Sequence, residues 1–273
     1  MNVWINGKVR SRVDWRDRGL QYGDGLFETM RVRRGAVRLL DYHLERLAAG
    51  CARLGLPLPD AALLRREIRR AAALADEAVV KLIVTRGIGV RGYRPTGRER
   101  PTRIVSVQPL GSRAAAAPPP AWTLRLCRTR LGWNEALAGL KTLNRLESVL
   151  ARAEWRGSAV AEGLMLDADE HVVCGTMSNL FIRRGRILAT PSLDRCGVAG
   201  VMRRFVLASA RSAGLRPQER HLRIADLNAA EEVFMTNAVV GVMPVAEIRA
   251  GSLRIRPPER AAAGRLRALL EDA

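Results

Sequence analysis

The chain has 273 residues, of which 48% are hydrophobic, and a formal net charge of +19 at pH 7. This length and apolar content exclude a disordered protein and allow one large or two medium domains, each with a buried core. No apolar run reaches the ~18 residues that a membrane-spanning helix needs, and no signal peptide is recognised, so we expect a cytoplasmic protein. The basic residues are spread along the chain and aromatic residues make up only 4%, which argues against dedicated nucleic-acid binding.

The first part of the chain alternates between two periodicities. Apolar residues at every second position predict strands, and apolar residues three or four apart predict helices. In chain order, the pattern predicts strands at 3–5 and near Val9, a glycine-punctuated loop over 17–25, strands over 27–32 and 37–39, a helix capped by Asp41 and stopped by Gly55, a helix over 60–75 capped by Asp60, and strands over 79–85 and 102–107.

The stretch 113–121 is rich in alanine and proline and has no periodicity, so we predict a linker there. It would join a smaller N-terminal α/β domain over 1–112 to a larger domain over 122–273. The second domain is predicted to contain strands at 122–127, 163–167, 172–173, 179–183, 186–189, 232–236 and 239–245, and helices over 144–155, over 201–213 and near the C-terminus. The fold class is therefore α/β of the α+β type, with two mixed lobes and a cleft between them.

Lys141 is one of only three lysines among 46 basic residues. Arginine stays protonated, whereas lysine can lose its proton and act as an amine nucleophile that forms a Schiff base. Two interpretations remain open from the residue alone. Lys141 is either a surface lysine at the start of a helix or a catalytic amine.

Several residues further along the chain suit an anion. Glycines over 197–200 precede a helix start at Val201, where unpaired backbone N–H groups favour negative charge, although an ordinary loop-to-helix turn fits equally. Arg46 can be solvated or can clamp an anion with its fork. Thr236 and Asn237 end a buried strand, where a hydroxyl and an amide can reach an anion or a ring. The histidines and cysteines show no metal-ligand spacing, so no metal site is predicted.

Seven segments together resemble the fold-type IV pyridoxal-phosphate enzymes, the class IV aminotransferase family. They follow the family order and cover nearly the whole chain, and the ordered set is far more specific than any one segment. The segments are RGLQYGDGLFET at 18–29, HLERL at 43–47, TRGIGVRGY at 85–93, GLKTLNRLESVL at 139–150, GTMSNLF at 175–181, TPSLDRCGVAGVMR at 190–203 and EEVFMTNAVVGVMPV at 231–245.

The resemblance implies that pyridoxal 5'-phosphate binds in the cleft and that Lys141 is the catalytic lysine attached to it. The cofactor-binding residues that it implies, besides Lys141, are Arg46, Cys174, Asn179, Val201, Met202, Thr236 and Asn237. Members of the family commonly have a glutamate that pairs with the pyridine nitrogen at the position of Cys174. This chain therefore departs from the family at that residue.

Within the family, the Lys-x-Leu-Asn-Arg form at 141–145 most resembles the aminodeoxychorismate lyases. Branched-chain aminotransferases usually have a tyrosine where this chain has Leu146. The resemblance implies conversion of 4-amino-4-deoxychorismate to 4-aminobenzoate and pyruvate in folate biosynthesis, by a homodimer with no membrane partner. The substrate-binding candidates are Tyr22, Arg31, Arg91 and Tyr93. A D-amino-acid or branched-chain aminotransferase of the same fold is the alternative.

Overall fold

A computed structural model describes residues 2–110 and 121–271 and shows mixed α/β architecture, which confirms the predicted fold class. The chain divides into two compact units, Met1–Ala117 with Lys141–Asn144, and Pro118–Leu140 with Arg145–Ala273. Apart from residue 121, the predicted linker lies outside the described residues. Among the described helices, none combines the length and the apolar character that crossing a membrane requires.

The first unit is built on one antiparallel sheet. Its elements are β1 (Asn2–Ile5), β2 (Lys8–Val9), α1 (Arg18–Tyr22), β3 (Gly25–Arg33), β4 (Ala36–Val37), α2 (Leu40–Leu54), α3 (Ala61–Ala72), β5 (Glu77–Thr85) and β6 (Thr102–Pro109). The strand order in the sheet is β2-β1-β6-β5-β3-β4. The apolar faces of α2 and α3 bury Leu47 and Ile68 in one core with Met30 and Leu82 of the sheet. This core explains the helical and alternating periodicities of the sequence.

Local capping residues decide where the helices of this unit begin and end. The predicted ends at Asp60 and Gly55 are confirmed: Asp60 accepts a hydrogen bond from Leu63 N at 2.7 Å, and Gly55 takes the left-handed conformation at the end of α2. The prediction of a loop throughout 17–25 is wrong, because the helix α1 lies within this range. The prediction that Asp41 caps α2 is also wrong, because the N-cap residue is Leu39, two residues earlier, and Asp41 lies in the first turn of the helix.

The second unit contains a nine-stranded mixed sheet in its described part. Its elements are β7 (Trp122–Leu126), α4 (Leu146–Arg152), β8 (Glu162–Leu166), β9 (Val172–Gly175), β10 (Asn179–Arg184), β11 (Ile187–Pro191), α5 (Val201–Ser209), β12 (Arg216–Arg220), α6 (Ile224–Asn228), β13 (Glu232–Asn237), β14 (Gly241–Ala250), β15 (Leu253–Ile255) and α7 (Ala261–Glu271). The strand order in the sheet is β12-β11-β10-β13-β14-β7-β8-β9, and β15 pairs with β14. The sequence did not indicate β12, α6 or β15. The edge strand β12 is largely exposed and has no apolar alternation to reveal it.

Candidate active site

Lys141 is fixed by backbone contacts to the start of β3. Its carbonyl accepts a hydrogen bond from Phe27 N at 3.1 Å, and Leu143 N donates to Gly25 O at 3.1 Å. The half-buried side chain places Nζ 4.3 Å from the centroid of the Phe27 ring. Gly25 is required here, because a Cβ would lie 2.6 Å from the carbonyl of Val84. The amine therefore stands on a rigid sheet, as a catalytic group needs.

Arg46 lies on α2 and is bound by the buried Glu28 of β3. Its Nε donates to Glu28 Oε1 at 2.8 Å and an Nη donates to Oε2, while His43 Nδ1 lies 2.6 Å from Oε2. Burial raises the pKa of Glu28, but the charge of Arg46 and the hydrogen bonds from His43 and Arg46 outweigh it, so the pKa lies below its usual value. Glu28 thus stays ionised and orients the Arg46 guanidinium.

His43 completes this cluster as a neutral imidazole. Burial lowers its pKa, and the hydrogen bond and charge of Glu28 offset that effect only in part. A carboxylate can only accept, so Nδ1 of His43 carries the proton. Its Nε2 is buried and has no hydrogen-bond partner among the residues that the structure describes. Neither Glu28 nor His43 was predicted, because each is an ordinary residue until the fold brings it to Arg46.

The predicted substrate residues fall into two groups. Tyr22 and Tyr93 are in contact, with ring centroids 5.3 Å apart and ring planes at 62°. Arg31 forms an ion pair with Glu77 on the neighbouring strand, so a substrate carboxylate would compete with Glu77 for it. Arg91 is exposed to solvent. The structure therefore brings the two tyrosines together and gives Arg31 a structural partner.

The start of α5 in the second unit has the features of an anion site. Gly200 caps the helix without a side-chain hydrogen bond, so the first N–H groups, at Val201 and Met202, lack helical acceptors. A Cβ at Gly200 would lie 2.1 Å from Asn179 Oδ1, so this position requires glycine. Asn179 Nδ2 in turn donates to Val198 O at 2.9 Å and fixes the approach to the helix.

Thr236 pairs with Asn179 across β10 and β13 and is fully buried. Within the described chain, its Oγ1 has no hydrogen-bond partner. A buried polar group without a partner costs about 1–3 kcal/mol, so this hydroxyl is suited to a ligand atom. Asn237 differs, because its Oδ1 accepts from the N–H groups of Val239 and Val240, each at 2.9 Å, and closes the turn after β13.

Cys174 on β9 lies in an apolar cluster that also contains Cys127 and Cys196. Burial raises the pKa of its thiol far above the usual range, Cys196 and Glu162 add to this effect, and Arg145 opposes it. The side chain is therefore a neutral thiol. It offers only a weak hydrogen bond where a carboxylate would offer a full negative charge.

Glu162 is a buried carboxylate that the sequence analysis missed. Its oxygens accept from the backbone N–H groups of Gly163, Thr176 and Met177, at 2.9, 3.1 and 3.3 Å. They also accept from the hydroxyls of Thr176 and Ser178, at 2.5 and 2.7 Å. Glu162 therefore holds the turn that joins β9 to β10. An acidic residue at the start of an apolar strand was the available signal.

A lysine mounted on a mixed α/β unit and a helix start prepared for an anion are features of a pyridoxal-phosphate enzyme. Residues 25–248 match the family described as amino-transferase class IV, and the chain belongs to that family. This confirms the resemblance of the seven segments. No group of three metal-binding side chains occurs in the part of the chain that the structure describes.

The relatives include enzymes of both activities considered above. The chain is 38% identical to the aminodeoxychorismate lyase of Vibrio harveyi, over 93% of this chain and 94% of the relative. It is 32% identical to a putative branched-chain-amino-acid aminotransferase of Methanocaldococcus jannaschii, over 91% and 88%. The solved structure of 4-amino-4-deoxychorismate lyase from Pseudomonas aeruginosa is 45% identical, with a TM-score of 0.89 and coverage of 99% and 98%.

Proposed function

We propose that the protein is a pyridoxal-phosphate-dependent lyase that converts 4-amino-4-deoxychorismate to 4-aminobenzoate and pyruvate. The observation that carries this proposal is the similarity to the P. aeruginosa lyase, which extends over nearly the whole of both chains. The activity belongs to folate biosynthesis and to the cytoplasm. The runner-up is amino-group transfer from a D- or branched-chain amino acid, which the similarity to the M. jannaschii protein favours.

The residues present fit pyridoxal phosphate. In the first unit, Lys141 supplies an amine on a rigid support, and Arg46 supplies a guanidinium oriented by Glu28. In the second unit, the N–H groups at the start of α5 and the Thr236 hydroxyl suit a phosphate group. Of the further cofactor candidates, Asn179 fixes the approach to α5 and Asn237 closes the turn after β13. When bound, pyridoxal phosphate supplies an aldehyde carbon for condensation with amines and a ring that accepts electrons.

Lys141 performs the proton transfers in this mechanism. Its neutral amine removes the proton from the substrate carbon that bears the amino group. The enolpyruvyl C–O bond then breaks, the substrate ring becomes aromatic, and the Lys141 ammonium donates its proton towards the leaving oxygen. Tyr22 and Tyr93 line the substrate, and Arg91 binds a substrate carboxylate. Arg31 is the weaker candidate for that role, because Glu77 already holds it.

Cys174 stands where members of the family commonly have a glutamate. If it faces the pyridine nitrogen of bound pyridoxal phosphate, its neutral thiol would support protonation of that nitrogen, and electron withdrawal by the ring, less than a carboxylate does. We propose that this difference favours the elimination, which formation of the aromatic ring drives, over amino-group transfer.

We also propose a homodimer that forms through α4. Leu146, Val149 and Leu150 share one face of this helix, and 77%, 59% and 61% of their surfaces are exposed. Three large apolar side chains on one exposed face are typical of a surface that a protein partner covers.

The purified protein with bound cofactor tests the activity directly. Incubated with 4-amino-4-deoxychorismate and no keto acid, it should release 4-aminobenzoate and pyruvate in equal amounts. Amino-group transfer instead requires a keto-acid acceptor, so D-alanine or leucine with 2-oxoglutarate provides the comparison. Transfer without any pyruvate release from 4-amino-4-deoxychorismate would reject the lyase and establish the runner-up.

A further inference from the structure

Arg18 begins α1, and its guanidinium reaches the loop that joins β5 to β6. Only 3% of the residue is exposed. Its Nη1 donates to the carbonyl of Gly92 at 2.9 Å, and its Nη2 donates to the carbonyl of Tyr93 at 2.7 Å. On the other side, Nε donates to Asp24 Oδ2 at 2.9 Å. One buried side chain therefore binds two consecutive loop carbonyls and one carboxylate.

Asp24 connects this arginine to the rest of the unit. The same Oδ2 accepts from Arg86 Nε at 2.8 Å, and the other Arg86 nitrogens donate to the carbonyls of Leu54 and Gly55 at the end of α2. Burial raises the pKa of Asp24, but Arg86 and Arg18 outweigh it and lower the pKa below its usual value. Asp24 thus stays ionised and pairs with two arginines. Arg18 binds the loop between β5 and β6, and Arg86 binds the end of α2.

The glycines of the loop make room for Arg18. Their spacing, Gly87-x-Gly89-x-x-Gly92, follows a strand as in nucleotide-binding loops, but no helix follows it here. A Cβ at Gly89 would lie 2.6 Å from Arg18 Cδ, and one at Gly87 would lie 1.9 Å from Arg100 O. Gly87 and Gly92 both have φ of +99°, which favours glycine. The pattern therefore serves this loop geometry rather than a nucleotide.

We infer that Arg18 is a positioning residue, which fixes the backbone at Gly92 and Tyr93 and so places Tyr93 against Tyr22. Its Cζ lies 4.9 Å from the centroid of the Tyr22 ring, and the Tyr22 hydroxyl accepts from Gly92 N at 3.4 Å. Tyr93 itself is 85% exposed, so its own packing does not determine its position. The consequence for substrate binding rests on the proposed function, whereas the loop geometry stands independently.

Arg18→Met tests this inference, because it removes the guanidinium and keeps an apolar stem of similar length. Asp24 retains Arg86 in the variant, so no buried charge loses its last partner. Hydrogen exchange of peptides over 87–94 should accelerate at least about tenfold, since the variant loses both charge-assisted hydrogen bonds from Arg18 to the loop carbonyls. Trypsin cleavage after Arg91 should accelerate in parallel.

Arg16→Met is the matched control. The Arg16 side chain is largely exposed and pairs with Asp14, while its backbone carbonyl, which the change retains, accepts from Gly89 N. Exchange over 87–94 should equal that of the wild-type protein. If Arg16→Met and Arg18→Met accelerate exchange equally, the inference is overturned.

Gly89→Ala provides a second route that leaves Arg18 in the sequence. The added methyl group displaces the Arg18 stem, so the same peptides should exchange faster. This variant carries the test if Arg18→Met does not fold. Unchanged exchange over 87–94, or a loss of protection spread evenly over the sheet, overturns the inference.

Steady-state kinetics of the holoenzyme test whether the loop that Arg18 positions also contributes to substrate binding. With 4-amino-4-deoxychorismate, Arg18→Met should raise KM about tenfold and change kcat less than about threefold, because a misplaced binding loop weakens substrate binding rather than chemistry. A loosened loop with unchanged KM supports the positioning role and contradicts the assignment of the loop to the substrate. Loop loosening in a protein without lyase activity contradicts the proposed function alone.

Discussion

At the scale of single residues, two lysines lie over the same ring and provide an internal comparison. Nζ of Lys141 is 4.3 Å from the centroid of Phe27, and Nζ of Lys81 is 5.1 Å from it. Lys141→Arg keeps a cation there but removes an amine that can lose its proton, so kcat for pyruvate release should fall about a thousandfold or more. Lys81→Arg should retain activity. Equal losses in the two variants would show that the ring contact matters and the amine does not.

A second residue-scale prediction concerns pH and His43. Its pKa is lowered by burial, so below about pH 6.5 the unfolded chain binds a proton that the folded protein does not bind. Stability contributed by this group is therefore present above that pH and lost as pH falls. The free energy of unfolding should decline between pH 7 and 5, by up to about 1.4 kcal/mol per pH unit.

His43→Asn isolates this effect, since the Asn amide can replace the Nδ1–H donor towards Glu28 without titrating. Urea unfolding of this variant should depend less steeply on pH over the same range. Parallel slopes for the wild-type protein and the His43→Asn variant would contradict the assignment.

At the scale of elements, the turn between β9 and β10 depends on Glu162. Five donors converge on its carboxylate, and Glu162→Gln replaces one acceptor oxygen by a donor that faces them. The free energy of unfolding should fall by at least about 2 kcal/mol, measured by urea denaturation. Glu259→Gln removes the charge of an exposed carboxylate that pairs with Arg183. It should cost less than about 1 kcal/mol, because Arg183 keeps Glu231 and Glu232 as partners. If both variants lost a similar amount of unfolding free energy, the proposed role of Glu162 in the turn would be contradicted.

At the scale of the whole molecule, the features that were predictable are those encoded within a few residues. Asp60 caps α3 by accepting a hydrogen bond from a backbone N–H only three residues further along the chain. Gly55 ends α2 through its own left-handed backbone conformation. The strands β3 and β5 follow from apolar patterning. The proposal that Lys141 is the catalytic amine also starts from sequence properties, namely its rarity and its motif.

The interactions that remained hidden join residues far apart in the chain. Arg18 bonds carbonyls 74 and 75 positions away, and Arg31 pairs with a glutamate 46 positions away. In a chain with 46 basic residues, composition cannot tell which arginine is buried in such a contact. Glu162 and its turn are 14 to 16 residues apart, and only the pairing of β8 with β9 brings them together.

The proposed dimer is the remaining prediction at this scale. The chain has a mass of 30.0 kDa, so sedimentation at micromolar concentration should give about twice that value. Leu150→Lys places a charge in the apolar face of α4 and should yield monomers that keep their fold, because Leu150 is exposed within its own unit. Leu74→Lys, at another exposed leucine that lies outside α4, should remain dimeric. A wild-type monomer would refute the dimer, and a dimeric Leu150→Lys variant would place the interface elsewhere, because a charge at the centre of an apolar interface is strongly unfavourable.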